Sequence, residues 1–191
     1  MTPQSVLKEY FGYDRFRDGQ EALIARILSG GDVLGIMPTG AGKSICYQVP
    51  AMLMPGLTIV VSPLISLMQD QVTALRDAGI PAVCLHSNQD QADYFAALDA
   101  VRNGEIRLLY AAPERLLTDS FLSLTDSVAI TMVAVDEAHC LSQWGQDFRP
   151  SYLRITEFLD ELPRRPVVAA FTATATQAVR DDIRRLLKLR E

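Results

Sequence analysis

Hydrophobic positions in this chain gather in six short, nearly continuous runs. They are DVLGIM (32–37), TIVVS (58–62), AVCLH (82–86), IRLLYA (106–111), ITMVAV (130–135) and VVAAFT (167–172). Runs this short, rich in β-branched residues and lacking polar alternation predict strands buried on both faces. Between them the apolar period changes to three or four residues. Leu64, Leu67, Met68, Val72 and Leu75 share one helical stripe, and Val179, Ile183, Leu186 and Leu187 share another. Leu64, Leu67 and Met68 are therefore expected in the core, as are Phe11 and Phe16. Strands alternating with helices predict an α/β fold, a mostly parallel β-sheet with helices on both faces. Right-handed crossovers then bring every strand's C-terminal end to one edge.

That edge carries a pattern of its own. The segments after the six runs are PTGAGKS, SPLIS, SNQD, APER, DEAH and TATAT. Each is polar and rich in small residues, and each lies where open α/β sheets bind ligands. Six in succession predict a continuous functional surface.

Two of these segments carry phosphate chemistry. TGAGKS (39–44) stands between a predicted strand and a predicted helix. Its glycines allow backbone N–H groups of Thr39, Gly40, Ala41 and Gly42 to turn towards phosphate oxygens. Lys43 would reach the β- and γ-phosphates, and the Ser44 hydroxyl would ligate Mg²⁺. The strict phosphate-loop pattern requires glycine at position 37, where this chain has Met37. A glycine-rich turn capping an ordinary helix is the plainer alternative; the order of strand, loop, Lys-Ser and helix favours the phosphate reading. The second segment follows four apolar residues and opens with Asp136 and Glu137. A carboxylate at a strand end suits a hydrated Mg²⁺, and the next can orient or deprotonate an attacking water.

Composition narrows the picture further. The chain has 191 residues, 49% hydrophobic, which fits one domain with a sizeable core. No apolar stretch is long enough to cross a membrane, and the N-terminal residues lack the regions of a signal peptide. Cys46, Cys84 and Cys140 are odd in number and widely spaced, and there are two histidines. Reduced cysteines, no zinc cluster and a cytoplasmic protein are expected. The formal charge of −5 runs against a dedicated nucleic-acid-binding domain, which is usually basic.

The motifs together resemble the first RecA-like lobe of superfamily-two helicases, and specifically the RecQ family of DNA helicases. The resemblance covers essentially the whole chain. It rests on FGYDRFRDGQ (11–20), MPTGAGKS (37–44), VVSPLISLMQDQV (60–72), APERL (112–116), AVDEAHCLSQWGQDFRPSY (134–152) and FTATAT (171–176). It implies a RecA-like P-loop NTPase lobe, and MPTG is typical of that family. It also implies roles. Tyr13 would stack on adenine with Arg17 and Gln20 beside it, although spacing alone equally allows Arg17 and Gln20 to be solvated residues at a helix start. Lys43, Asp136, Glu137 and His139 would form the hydrolytic centre, with Ser44 and Asp136 on Mg²⁺. His139, Thr172 and Thr174 would relay the state of the γ-phosphate. Ser62, Ser66, Gln69, Ser87, Glu114 and Arg115 would belong to the nucleic-acid-facing edge. QWGQDFRP (143–150) corresponds to the family's aromatic-rich loop, in which Trp144 and Phe148 could stack on bases and Arg149 could pair with phosphate. An irregular loop whose aromatics fold back over the sheet is the alternative. The family usually has His where this chain has Gln146, which bears on the coupling of DNA binding to hydrolysis.

The same resemblance makes residues 1–191 one lobe, with the adenine motif within 1–28, of a longer ATP-dependent helicase. The expected partners are single-stranded or partially duplex DNA and a second RecA-like lobe, with no membrane. That lobe, and zinc-binding and winged-helix regions, are not encoded here. An arginine donated by a second lobe is worth on the order of 10³–10⁵ in rate, so little turnover is expected from this chain alone. Two other readings stand beside it: an RNA-remodelling DEAH-type ATPase, and a non-motor nucleotide-binding interaction module.

Overall fold

A computed structural model describes residues 1–190. Six parallel strands form a single sheet: β1 (Val33–Ile36), β2 (Leu57–Val61), β3 (Ala82–Leu85), β4 (Leu108–Ala111), β5 (Ile130–Val135) and β6 (Val167–Thr172). All six coincide with the expected runs. The bounds of β5 and β6 match to the residue, and the others differ by one or two positions. Eight α-helices accompany them: α1 (Pro3–Phe11), α2 (Gln20–Leu28), α3 (Ile45–Leu53), α4 (Ile65–Asp77), α5 (Gln91–Arg102), α6 (Asp119–Ser127), α7 (Leu153–Glu161) and α8 (Gln177–Leu186).

The strands alternate between two cores, one on each face. Val60, Met132, Ala134, Ala169 and Phe171 point towards α2, α3 and α4, where they meet Ile27, Tyr47, Met68 and Val72. Ile59, Val61, Val133, Val135, Val168 and Ala170 point towards α5 to α8, where they meet Leu98, Phe121, Phe158 and Ile183. A sheet buried on both sides explains why its strands read as continuous apolar runs. The stripe on α4 is only partly internal. Met68, Val72 and Leu75 are buried, but Leu64 is 46% exposed and Leu67 is half-buried. Leu64 precedes the helix in extended backbone, so the helical period does not govern it. Phe11 and Phe16 are half-buried against a small cluster formed by α1, α2 and α3.

The strand order is β1-β6-β5-β2-β4-β3. It places β6 between the strand that leads to TGAGKS and the strand that leads to DEAH. The remaining strands, β2, β4 and β3, carry SPLIS, APER and SNQD away on the other side of β5. β3 is an edge strand whose outward carbonyls are occupied: Ala82 O accepts from Arg76 Nε at 2.7 Å and Cys84 O from Gln89 Nε2 at 3.2 Å. Side chains bonded in this way block pairing with another chain.

Candidate active site

The loop after β1 turns on two glycines in the left-handed region, Gly40 and Gly42, both at φ 82°. A Cβ at Gly42 would lie 2.4 Å from Gln20 Nε2, so a side chain there would displace that amide. Gln20 is 3% exposed, against the solvated alternative. Its Oε1 accepts from Arg17 N at 2.8 Å and its Nε2 donates to Gly42 O at 2.9 Å. Arg17 in turn donates through Nη1 to Gly40 O. The FGYDRFRDGQ segment therefore buttresses the phosphate loop directly. Gln20 Nε2 also lies 3.4 Å from Ala41 O, so of the two donors and two acceptor sites of a primary amide both donors face the loop and one acceptor site is left over. A cleft of about 640 Å³ opens beside it, lined among others by Tyr13, Arg17, Gln20, Lys43, Asp136 and Glu137. Tyr13 is 53% exposed at this cleft, as a stacking aromatic must be.

At the end of β5, Asp136 remains in the sheet through its N–H, which bonds Val61 O at 2.9 Å. Glu137 then adopts φ 50°, ψ 45°, a left-handed conformation rare for a residue with a side chain. This turn brings Glu137 to the phosphate loop. Its Oε1 lies 3.7 Å from Lys43 Nζ and its Oε2 lies 3.3 Å from His139 Nδ1. Burial, and then the neighbouring charge of Glu137, push the Asp136 carboxyl above the usual aspartate range. A carboxylate so poorly compensated, together with the Ser44 hydroxyl, is a hard-oxygen donor set that suits Mg²⁺.

His139 joins this turn to β6. Its Nδ1 lies 2.8 Å from Thr172 Oγ1, and the Thr172 hydroxyl donates to Thr174 O at 3.2 Å. Thr172 is fully buried and Thr174 is exposed. The adjacency of β6 and β5 creates this contact.

The QWGQDFRP loop projects beyond the same turn. Trp144 is 76% exposed, so it does not fold back over the sheet; Phe148 and Arg149 are half-buried and Gln146 is exposed. Ser142, fully buried, donates to Asp182 on α8 at 2.8 Å and accepts from Trp144 N at 3.2 Å. Gly145 approaches so closely that a Cβ would meet His139 O at 2.8 Å. Arg149 pairs with Asp147 at 3.2 Å. The loop also brings His139, Cys140 and Asp147 together, their ligand atoms within 4.8 Å of one another, a grouping that sequence spacing does not suggest. The Cys140 thiol is pushed up to about 12, chiefly by burial, which disfavours the thiolate a metal needs.

On the other side of β5, Ser66, Gln69, Ser87 and Glu114 are exposed along one edge. Ser62 is not: it is 2% exposed, covered at the end of β2, with its Oγ unpartnered. Arg115 is half-buried. It donates through Nη2 to His86 O at 3.0 Å and lies 4.9 Å over the Tyr94 ring. Gln69 Nε2 and His86 Nε2 are 3.3 Å apart. His86, Ser142 and Tyr152, all buried, and the half-buried Asp182 went unnoticed in the sequence, where a covered polar residue looks like any other.

Comparison with known proteins places the chain in a family. Residues 17–182 match the DEAD/DEAH box helicase family. The chain belongs to that family. Relatives within it include the ATP-dependent DNA helicase RecQ of Bacillus subtilis, 48% identical over 98% of this chain. The match covers 32% of that relative, so the chain spans about a third of its length. Among solved structures, a hypothetical ATP-dependent RNA helicase from Sulfolobus tokodaii superposes with a TM-score of 0.74 at 23% identity, covering 97% of this chain and 54% of that one. The DUF1998 helicase MrfA bound to DNA superposes with a TM-score of 0.78 at 16% identity, covering 99% of this chain and 28% of that one. At such identities these two likenesses speak to the RecA-like fold. No helix among the described residues is long and apolar enough to cross a membrane.

Proposed function

We propose that this chain is the ATP-binding lobe of a RecQ-type ATP-dependent DNA helicase. Its full-length protein would couple ATP hydrolysis to movement along single-stranded DNA and unwinding of partly duplex DNA. The observation that carries this reading is the line of contacts across β1, β6 and β5. Lys43, Glu137, His139 and Thr172 touch in sequence, and the exposed Trp144 loop springs from the same turn.

In this reading Tyr13 stacks on adenine, the spare acceptor site of Gln20 takes adenine N6–H, and its Nε2 exchanges the long contact with Ala41 O for adenine N7, as an amide does in base readout. Backbone N–H groups of residues 39–43 and the Lys43 ammonium hold the phosphates. Ser44 and Asp136 are the residues that would hold Mg²⁺, which when bound neutralises charge on the phosphate oxygens. Glu137 orients the attacking water and receives its proton. Lys43 now pairs with Glu137; a bound triphosphate would draw the ammonium to itself and release that carboxylate. Ser66, Gln69, Ser87 and Glu114, with Trp144, Phe148 and Arg149, form the strand-facing edge, which grips backbone and stacks bases without reading sequence. The buried Ser62 and Thr172 support that edge from beneath. A second RecA-like lobe completes the site, and unwinding runs from three-prime to five-prime as in the family. A cytoplasmic or DNA-associated location, and roles in repair and recombination, accompany the same reading.

The test is ATP hydrolysis by the full-length protein with no polymer, with single-stranded DNA and with RNA. Stimulation by DNA, abolished by Lys43→Ala, is expected. Stimulation by RNA alone would favour an RNA-remodelling ATPase, and no hydrolysis under any condition would favour a non-motor nucleotide-binding module. The 191-residue chain alone should bind adenine nucleotide and hydrolyse it slowly; robust DNA-stimulated turnover by this lobe would contradict a requirement for a second one.

A further inference from the structure

The Asp136–Glu137 peptide is the pivot of the proposed hydrolytic centre, and it lies just where β5 leaves the sheet. Glu137 holds a left-handed backbone conformation that a residue with a side chain resists. A rotation of this one peptide would carry the Glu137 carboxylate away from Lys43 and His139. Its N–H is held by the Asp136 carboxylate, which accepts from Glu137 N at 2.9 Å. Its carbonyl is held from elsewhere: Tyr152 donates its phenolic O–H to Asp136 O at 2.7 Å. Tyr152 is fully buried, and burial foremost keeps the phenol protonated by pushing its pKa well above the ordinary range.

The place of Tyr152 in the chain is what makes this bond informative. It closes the short 3₁₀ turn Pro150–Tyr152, directly after the exposed aromatic loop, and opens α7. Its own N–H bonds Arg149 O at 2.9 Å, and Arg149 N bonds Cys140 O at 2.9 Å. The root of the loop is therefore joined by short bonds to Asp136, which opens the DEAH segment, and to Cys140, the residue just after it. A displacement of Trp144 or Phe148 on stacking with a base has a rigid route back to the carbonyl of Asp136.

We propose that Tyr152 is a positioning residue for hydrolysis. Its hydroxyl fixes the Asp136–Glu137 peptide in the orientation that points Glu137 into the phosphate site, and it ties that orientation to the root of the aromatic loop. This rests on the helicase reading given above. Tyr152 touches neither nucleotide nor DNA in this scheme, so its loss should appear in turnover and not in binding.

Tyr152→Phe removes one oxygen and keeps the buried ring. In the full-length protein, kcat for ATP hydrolysis with saturating single-stranded DNA should fall about tenfold, equivalent to about 1.4 kcal/mol of barrier. The KM for ATP and the Kd for single-stranded DNA should stay within about twofold, and the unfolding temperature should remain close to the parent's. A kcat within twofold of the parent overturns the proposal. So does a KM or DNA Kd that moves as far as kcat, or a loss of fold that accounts for the lost activity. The unsubstituted protein in the same assay separates the two levels: if it shows no DNA-stimulated hydrolysis the helicase reading has failed, and if it does while Tyr152→Phe matches it, only the role of Tyr152 has failed.

Discussion

Replacing Gln20 with alanine separates the loop contacts seen in the structure from the adenine contact of the proposed function. The loop duty is visible: Oε1 accepts from Arg17 N and Nε2 donates to Gly42 O. Each such bond contributes about 1 kcal/mol net. Water can reach the half-buried Gly42, so about 2 kcal/mol is a ceiling for their joint loss. At about 1.4 kcal/mol per tenfold, that weakens any nucleotide by at most about 30-fold. The base duty in the proposed function uses the spare acceptor site and the donor now 3.4 Å from Ala41 O, and it concerns adenine alone. A bidentate amide contact of this kind discriminates by about 1–3 kcal/mol. ADP should therefore lose about 5- to 150-fold more affinity than GDP, on top of the loss they share. The assay is equilibrium titration of fluorescent ADP and GDP with the 191-residue chain and its Gln20→Ala variant. Equal losses for the two nucleotides would show that Gln20 makes no contact with the base. An undiminished GDP affinity would show instead that the bonds to Arg17 and Gly42 do not shape the loop.

Three further outcomes follow from the same geometry. Asp136→Asn should abolish hydrolysis in the full-length protein yet stabilise the nucleotide-free chain at neutral pH. A carboxyl raised by burial and by Glu137 favours the fold only when protonated, an advantage lost as pH rises through its folded pKa; melting curves from neutral to acidic pH should converge for parent and variant, and parallel curves would refute this. Asp32→Ala should unfold easily. Asp32 is buried, accepting from Val168 N at 2.9 Å and Arg190 N at 2.7 Å, and its nearest contact with Arg165 is 2.8 Å. Breaking such a buried pair costs about 3–5 kcal/mol, here towards the low end because both arginines reach solvent. At roughly 2–4 °C per kcal/mol for a chain of this size the unfolding temperature should fall on the order of 10 °C, and a fall of a degree or two would refute it. Burial alone would raise the Asp32 carboxyl, but hydrogen bonds from Arg165, Arg190 and two backbone amides hold it below the usual range. The contribution of Asp32 is thus present above the unfolded pKa and fades as pH falls through the folded one. Gln146→Ala in the full-length protein should keep DNA affinity and lose DNA stimulation of ATP hydrolysis, because an exposed Gln can exchange hydrogen bonds but cannot titrate; if parent and Ala variant behave alike while Gln146→His gains stimulation, the loop needs an ionisable group.

Local pattern alone determined much of this protein. Continuous apolar runs mark strands because a sheet covered on both faces leaves no polar side, and that information lies within five or six residues of each position. The loops that follow them, TGAGKS and DEAH among them, announce phosphate chemistry by residue type and spacing. Tertiary structure decided what lies next to what. Nothing in the period of VVAAFT places β6 between β1 and β5, yet that order brings Thr172 to His139. Strand order is set by crossovers and long-range pairing, which leave no periodic trace. The fate of residues at strand ends is equally remote from local pattern. Ser62 is covered by its neighbours while Leu64, two positions on, is exposed. Gln20 shows the same limit from the other side. Its position at the start of α2 fits a solvated residue, and only the approach of the phosphate loop, 22 residues away in the chain, makes it an internal brace. Tyr152 is a third case: its hydroxyl finds Asp136 O only because the aromatic loop doubles back between them, so its partner was chosen by the path of the chain and not by any spacing within it.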